Sequence, residues 1–562
     1  MDWLEVGENG VWLGGLAAIL SCLSWADWLA ARNRARLRAC FATPGLQAWL
    51  NLGLTLLSVG LFLTSHSVLA AVLWAAFLVA FAAQAFVALR NLRRVTPPVV
   101  TRVATGTPRR TFSALRTSRV AQGLIRLEPW LLLAALPFLM FPQRFTALLL
   151  PLLALPWLAR KVTQGRFTAR TPMDGPILVL LLMLPISLWV SVDVQRSLVK
   201  FYGIMLGFAV FYGLVNHVRR PAQAWMVGLG LALAGLAVSA LALLGANWLG
   251  GKLLALPQVY GRLPRLISGV PGSPPGGFNP NEVGAALCLF IPFVASLLFL
   301  GFHQSPDAGT VQPVLDHALI PAGTRRWALF GLLALVLLVM AGTLALTQSR
   351  SAYLGIGVSL LVLTSFRRRW LWPALLLAVL VGAVAWRYLG TERILSSFLA
   401  AGSERNIGAR LEIWQRALYM IQDFPYTGIG LNMFPMVLNT LYPLFSLAPG
   451  QVLQLTHAHN AFLQVAVDLG IPGLVAYLAL LLGFGAAWWT ACRRFAPGPL
   501  RALSVGLLCG MLAYHVYGLT DCITLGAKPG VVIWAMLGLM AALVRISLPE
   551  DGAQPWGRQN AQ

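Results

Sequence analysis

Apolar residues run along this chain in long blocks with no polar stripe, broken by short polar or basic segments. Helices that present one face to a soluble core alternate apolar and polar positions, whereas helices surrounded by lipid are apolar all round. A helix crosses a hydrocarbon core with about 20 apolar residues. On that ruler fifteen spans are predicted, near 11–31, 46–64, 68–89, 129–142, 145–159, 175–191, 198–216, 222–245, 281–301, 327–346, 352–366, 371–388, 472–490, 501–520 and 530–547. The short pair 129–142 and 145–159 is divided only by Pro142, Gln143 and Arg144, so a single re-entrant hairpin is the alternative there. The expected fold is an all-α integral membrane protein: a polytopic helical bundle of three N-terminal spans and a twelve-helix core, with a large extracytoplasmic loop domain. Composition agrees, with 58% hydrophobic residues, only 11% charged and a mean hydropathy of +0.74. Soluble domains carry about 25% charged residues. The acidic start, MDWLEVGENG, lacks the basic segment of a cleavable signal, so the first apolar run is expected to stay as a span.

Charge then fixes an orientation. Basic residues outnumber acidic ones 42 to 18, for a net charge of +24. The basic residues lie in short runs between spans, not on an aromatic-interleaved surface, so no nucleic-acid partner is expected. With the N-terminus outside, the inward loops hold 29 of the 42, including Arg32, Arg34, Arg36 and Arg38, nine arginines from Arg90 to Arg126, and Arg367 to Arg369. The positive-inside rule is thus obeyed from end to end, and the chain reads as a multi-pass protein of the cytoplasmic (inner) membrane with its C-terminus in the cytoplasm. Four regions follow: a three-helix module at 1–89, a basic linker at 90–127, a membrane core at 128–547 and a tail at 548–562. The linker has no Asp or Glu, contains Pro97, Pro98 and Pro108, and is suited to lying against anionic lipid. The outward segments 246–280 and 389–458 are long. Within the second, Leu411, Trp414, Leu418 and Ile421 recur at three and four, and Glu412 precedes Arg416 by four, which predicts a folded helix.

The 13 outward cations are the ones that orientation does not explain. Arg262 and Arg265 precede SGVPGSPPGGFNPN, Arg350 sits in TQSRSAYLG, and Arg405, Arg410 and Arg416 lie in SERNIGARLEIWQR. Arg350 lies between two apolar runs, where an unpaired Arg costs at least ~2.5 to 3.5 kcal/mol. Either it reaches the outer surface or it is held for an anionic partner. Converging guanidinium forks suit the oxygens of a diphosphate without any metal. The outward acids Asp193, Glu282, Asp423, Asp468 and Asp521 are scattered and form no contiguous metal cluster, so neither a metal site nor a cofactor is expected, and convergence of these acids in the fold is the alternative. The six cysteines include no C-x-x-C pair. His457 and His459 lie outside, where the large loop meets the next span. At i, i+2 they make a poor helical metal pair. A neutral imidazole there suits a general base towards a hydroxyl, and a capping or interfacial histidine is the other reading.

These residues carry a resemblance. His459-Asn460, nine residues, then Gly470-Ile471-Pro472-Gly473 is similar to the H-[NSQ]-x9-G-x-x-G signature of the O-antigen ligase and polymerase superfamily, membrane glycosyltransferases of the GT-C type. GGFNPNEVGA (276–285) resembles the family's G-x-F-x-N-P-N segment, TQSRSAYLG (347–355) its Ser-Arg segment, and RLEIWQRALYMIQDFPYTGIGLNMF (410–434) its R-x-x-x-W and P-x-x-G-x-G segments. The resemblance covers roughly 175–547. It implies a metal-independent, inverting transfer of an undecaprenyl-diphosphate-linked glycan to a hydroxyl on a glycan, lipid or protein acceptor, with the site facing the periplasm or exterior. It implies that Arg350 and Arg410 hold the diphosphate, that His459 activates the acceptor, and that Arg265, Asn279, Asn281, His457 and Asn460 contribute to substrate binding. Ligase, polymerase and protein O-oligosaccharyltransferase share these motifs, and the His-Asn signature tilts towards ligase. A transporter or flippase is the alternative from another class, but no internal repeat is visible and charge gathers at the span ends. The first 127 residues fall outside the resemblance, and nothing in them looks catalytic.

Overall fold

The computed structural model describes residues 3–92, 119–142, 146–248, 257–263, 277–301, 322–368, 373, 405–445 and 455–548. Among these residues the structure is helical, with a single parallel bridge between Ala246 and Phe278. The principal helices are α1 (Trp3–Asn33), α2 (Pro44–Leu63), α3 (Val68–Leu92), α4 (Arg119–Met140), α5 (Leu149–Gln164), α6 (Asp174–Val190), α7 (Val194–His217), α8 (Pro221–Gly245), α9 (Pro280–Ser296), α10 (Ala322–Thr347), α11 (Arg350–Ser365), α12 (Arg405–Asp423), α13 (Phe434–Leu441), α14 (Ala461–Arg494), α15 (Pro499–Tyr517) and α16 (Gly530–Ser547). Twelve helices among the described residues are long and apolar enough to cross a membrane, and α6 and α11 are shorter apolar helices. The chain is a polytopic helical membrane protein. Fourteen of the fifteen predicted spans coincide with these helices. The span at 371–388, Pro373 apart, and the centre of the predicted linker lie outside the described residues.

Two spans begin earlier than hydropathy suggested, and buried polar networks are the reason in both. Helix α4 starts at Arg119, inside the segment read as linker, and takes Glu128 with it. Glu128 is 2% exposed but accepts hydrogen bonds from Arg160 Nη2 (2.6 Å), His217 Nε2 (2.7 Å), Trp157 Nε1 (2.9 Å) and Asn216 Nδ2 (3.2 Å). A carboxylate satisfied this fully does not have to stand outside an apolar helix. The two helices here are separately long enough to cross, which is the two-span alternative to a hairpin. Helix α14 starts at Ala461 rather than near 472, and its buried Asp468 accepts from Gln464 Nε2 at 2.9 Å.

Helix α9 is the axis of the bundle: 83% of its apolar window is buried, and it packs against α8, α10, α11 and α15. The sequence GGFNPN explains how it begins. Gly277 takes φ 90°, Phe278 exchanges backbone hydrogen bonds with Gly245 and Asn247 at 2.9 Å each, Asn279 caps the helix by accepting from Asn281 N, and Pro280 occupies the first turn. Helix α1 packs against α6 and α14, and its Cys22, Trp25, Ala26 and Trp28 belong to the same buried cluster as α9 and α15. Ser24 Oγ accepts from Gly175 N at 2.9 Å, which seats α1 on the start of α6. The described part of the long segment before α14 has a smaller core of its own, built from Ile413, Trp414, Ala417 and Met420 of α12 with Phe434, Val437 and Leu438 of α13. Its predicted ion pair, Arg416 to Glu412, forms at 3.6 Å.

A kink at Gly470 joins that segment to the bundle. Gly470 adopts φ 67° and ψ −176°, a region open essentially to glycine alone. The break lets Ile429 N reach Val467 O at 2.9 Å and Ile471 N reach Pro425 O at 2.7 Å, so the P-x-x-G-x-G segment is bound to the G-x-x-G segment. A Cβ on Gly470 would lie 2.8 Å from Pro425 O. Gly470→Ala is therefore expected to lower unfolding stability by about 2 kcal/mol or more. Gly485→Ala on the same helix meets nothing within 4 Å and is expected to be harmless. Denaturant unfolding of the purified protein compares the two, and equal midpoints would show that the kink is not under this constraint.

Candidate functional site

The residues with chemistry converge on Gly518 to Cys522, the first part of the loop that joins α15 to α16. The THAHN sequence delivers the histidines. His459 takes φ 50°, turning the chain just before Asn460, whose side chain accepts from Phe462 N and Leu463 N at 3.0 Å each and so starts α14. Asn460 Nδ2 donates to Leu519 O (3.0 Å) and Ala461 N donates to Gly518 O (2.7 Å), which fixes the entrance of α14 against the loop. Gln464 Oε1 accepts from Ala458 N at 2.7 Å and closes the turn from behind.

On this base His459 Nδ1 lies 3.1 Å from Asp521 Oδ1, and His457 Nε2 lies 3.6 Å from the same oxygen. Cys522 N donates to it as well, at 3.0 Å. Arg410 Nη1 donates to Thr520 O at 2.9 Å. Ser351, next to Arg350 at the start of α11, shares a 2.7 Å hydrogen bond between its hydroxyl and that of Thr520. One five-residue stretch of this loop therefore gathers His457, His459, Arg410 and the N-terminus of the helix that begins with Arg350. Gly284 lets α9 come close to the same place, because a Cβ there would stand 3.1 Å from Ser349 Cβ and 3.2 Å from Ala352 Cβ.

Burial pushes the Asp521 carboxyl up, but the hydrogen bond from His459 and the charges of His457, His459 and Arg410 outweigh it and hold the pKa down to about 2. Asp521 is an anion at any working pH. Burial pushes the His457 imidazole down to about 4, with the Asp521 charge opposing it only in part. His457 is 8% exposed and neutral near pH 7, whereas the side chain of His459 is 22% exposed. The more accessible imidazole is the one whose Nδ1 contacts Asp521, the arrangement by which a carboxylate selects the tautomer and orientation of a catalytic histidine. The ligand atoms of His457, His459 and Asp521 lie within 4.8 Å of one another, so these three are also the described residues able to hold a metal ion.

The other expected site residues separate by position. Asn279 is exposed and caps α9, and the Asn281 carbonyl accepts from Tyr517 Oη at 3.2 Å. Arg265 lies outside the described residues. Asp521 was legible only as one of several scattered outward acids. Its signal was position, a carboxylate at the outer end of a predicted span on the same side as the histidines.

Residues 335–478 match the family model described as O-antigen ligase. Over that segment the chain is similar to the O-antigen ligase family. The matched segment contains Arg350, Arg410, His457, His459, Asn460 and the Gly470 kink. An uncharacterized protein of Haemophilus influenzae is similar over 169 residues at 25% identity, covering 27% of this chain and 42% of that protein. The match spans less than half the length of that relative. Asp521 lies beyond the ligase-matched segment and is brought to it by the fold.

The low pKa of His457 has a consequence for stability. Because its folded value lies below the ordinary value near 6.5, the unfolded chain takes up the proton first as pH falls. The contribution is complete above pH 6.5 and is lost between there and pH 4, in the order of 3 kcal/mol. Asp521 stays ionised throughout this window. Melting temperature is expected to drop from pH 7 to pH 4.5 in the parent protein and to drop less in His457→Gln. Parallel curves would contradict a buried neutral His457.

Proposed function

We propose that the protein transfers a glycan from a polyprenyl diphosphate carrier, of the undecaprenyl type, to a hydroxyl acceptor at the outer surface of the cytoplasmic membrane. The observation that carries this reading is the contact of His459 with Asp521 beside Arg410, in a chain similar over residues 335–478 to the O-antigen ligase family. In the proposed step the acceptor oxygen attacks the anomeric carbon and its proton passes to His459 Nε2. The bond from that carbon to the diphosphate oxygen breaks with inversion, and the carrier diphosphate leaves with the electron pair. Asp521 keeps Nδ1 of His459 protonated and so leaves Nε2 as the base. Arg410, pre-oriented by Thr520 O, and Arg350, at the head of α11, meet the charge that grows on the leaving diphosphate.

The proposed chemistry is metal-independent. The two arginines supply the neutralising charge that a cation would otherwise bring, and Asp521 Oδ1 already serves Cys522 N and His459. Among related reactions, ligation to a lipid-linked core is favoured over polymerisation by the His-Asn signature, and accumulation of long chains on the carrier in a deletion strain distinguishes it from accumulation of single repeat units. His459→Ala and Arg410→Ala are each expected to reduce transfer by at least about 100-fold, the scale of losing a general base or a transition-state charge partner. Transfer by purified protein is expected to continue in EDTA. Full activity in both variants overturns the site, and loss in EDTA with recovery on adding a divalent ion reassigns His457, His459 and Asp521 as metal ligands.

A further inference from the structure

The long segment between α8 and α9 takes no part in the proposed transfer, yet its described residues are tied down at several points. Ala246 pairs with Phe278 in the parallel bridge, and Trp248 N donates back to Ala246 O at 3.1 Å. Further on, the short helical turn Pro257–Tyr260 lays the Tyr260 ring against that of Trp248, with centroids 6.5 Å apart and planes 26° from parallel. Both residues are buried.

The Tyr260 hydroxyl leaves its own segment and enters the turn that joins α10 to α11. It donates to Leu346 O at 3.0 Å and accepts from Gln348 Nε2 at 2.5 Å. Gln348 and Ser349 alone separate the last residue of α10 from Arg350, the first of α11. Gln348 stands at φ 49°, a left-handed conformation that a residue with a Cβ seldom adopts and keeps only where its surroundings fix it. Part of that fixing is local: Thr347 Oγ1 donates to Leu344 O at 2.7 Å and accepts from Ser349 N at 3.3 Å, and Tyr353 Oη donates to Ala345 O at 2.9 Å. Tyr260 adds a hold from 88 residues away, on a carbonyl at the end of α10 and on the side chain of the strained residue.

We propose, on the reading that Arg350 meets the leaving diphosphate, that Tyr260 is a positioning residue for Arg350. The φ and ψ of Gln348 set the direction in which α11 leaves α10, and with it where the first side chain of α11 points. A guanidinium fork recognises phosphate oxygens by geometry as well as by charge, so a small error in its direction loses contacts. The acting group is the Tyr260 hydroxyl, and the stacking on Trp248 brings it to the turn. Ser351, hydrogen-bonded to Thr520, ties the same helix start to the loop bearing Asp521. The two arginines are thus oriented from different parts of the chain, Arg410 through Thr520 O and Arg350 through the segment between α8 and α9.

Binding of undecaprenyl diphosphate to the purified full-length protein in detergent, followed by native mass spectrometry, tests this without an acceptor. Tyr260→Phe keeps the ring and removes the hydroxyl, and is expected to weaken binding by about tenfold, the scale of misdirecting one charge-assisted contact. Arg350→Ala is expected to weaken it at least as much. Tyr260→Phe added to Arg350→Ala is expected to change nothing further, whereas a merely structural loss appears equally in both backgrounds. Parent-like affinity in Tyr260→Phe beside a weakened Arg350→Ala overturns the proposal and leaves the diphosphate reading standing, as do losses that multiply in the double variant. Equal affinity of parent and Arg350→Ala removes both.

Discussion

A buried carboxylate that must be satisfied organises the end of the bundle where α14 and α11 begin. Asp521 is 5% exposed and ionised, and an anion in that position is tolerated only where donors and cations surround it. Its partners come from the loop's own backbone, from the THAHN turn and, through the neighbouring Thr520, from Arg410 and the head of α11. Satisfying Asp521 therefore brings the histidines to the loop that also holds the guanidinium. The cation-rich surroundings that keep Asp521 charged are also those that suit a departing diphosphate, so one electrostatic arrangement supports both folding and the proposed chemistry.

Glycine is the means by which distant segments reach that loop. Gly428 and Gly470, both at φ 67°, let the segment after α12 and the kinked α14 exchange backbone hydrogen bonds, and Gly430 at φ 99° comes against Ser191 Oγ at the C-terminal end of α6. Leu431 then donates to Ser187 Oγ and accepts from Ser197 Oγ, which moors the loop domain to α6 and α7. These family-like motif glycines are thus sites of backbone approach, distinct from the His and Arg positions that carry charge.

The membrane architecture was legible in the sequence because lipid imposes a strong rule: long apolar runs and arginine-biased loops leave few alternatives. The helix at 405–423 and its Glu412–Arg416 pair were legible from helical spacing for the same reason. What hydropathy concealed was a charge neutralised by partners far away, Glu128 by Arg160 and His217, because no local pattern reveals a partner 32 or 89 residues distant. His459, Arg350 and Arg410 stood out by residue type and motif. Asp521 did not, since its importance arises only when α15 and α14 bring residues 62 positions apart into contact.

Two arginines, two histidines and one aspartate stand at the end of the bundle where α11 and α14 begin. The central claim is that Asp521 acts through His459 at that end. A double-mutant cycle on single-turnover transfer, with Asp521→Asn, His459→Gln and the combined variant, tests it most directly. Combined loss no greater than that of His459→Gln alone is the predicted result, and losses that multiply would contradict it.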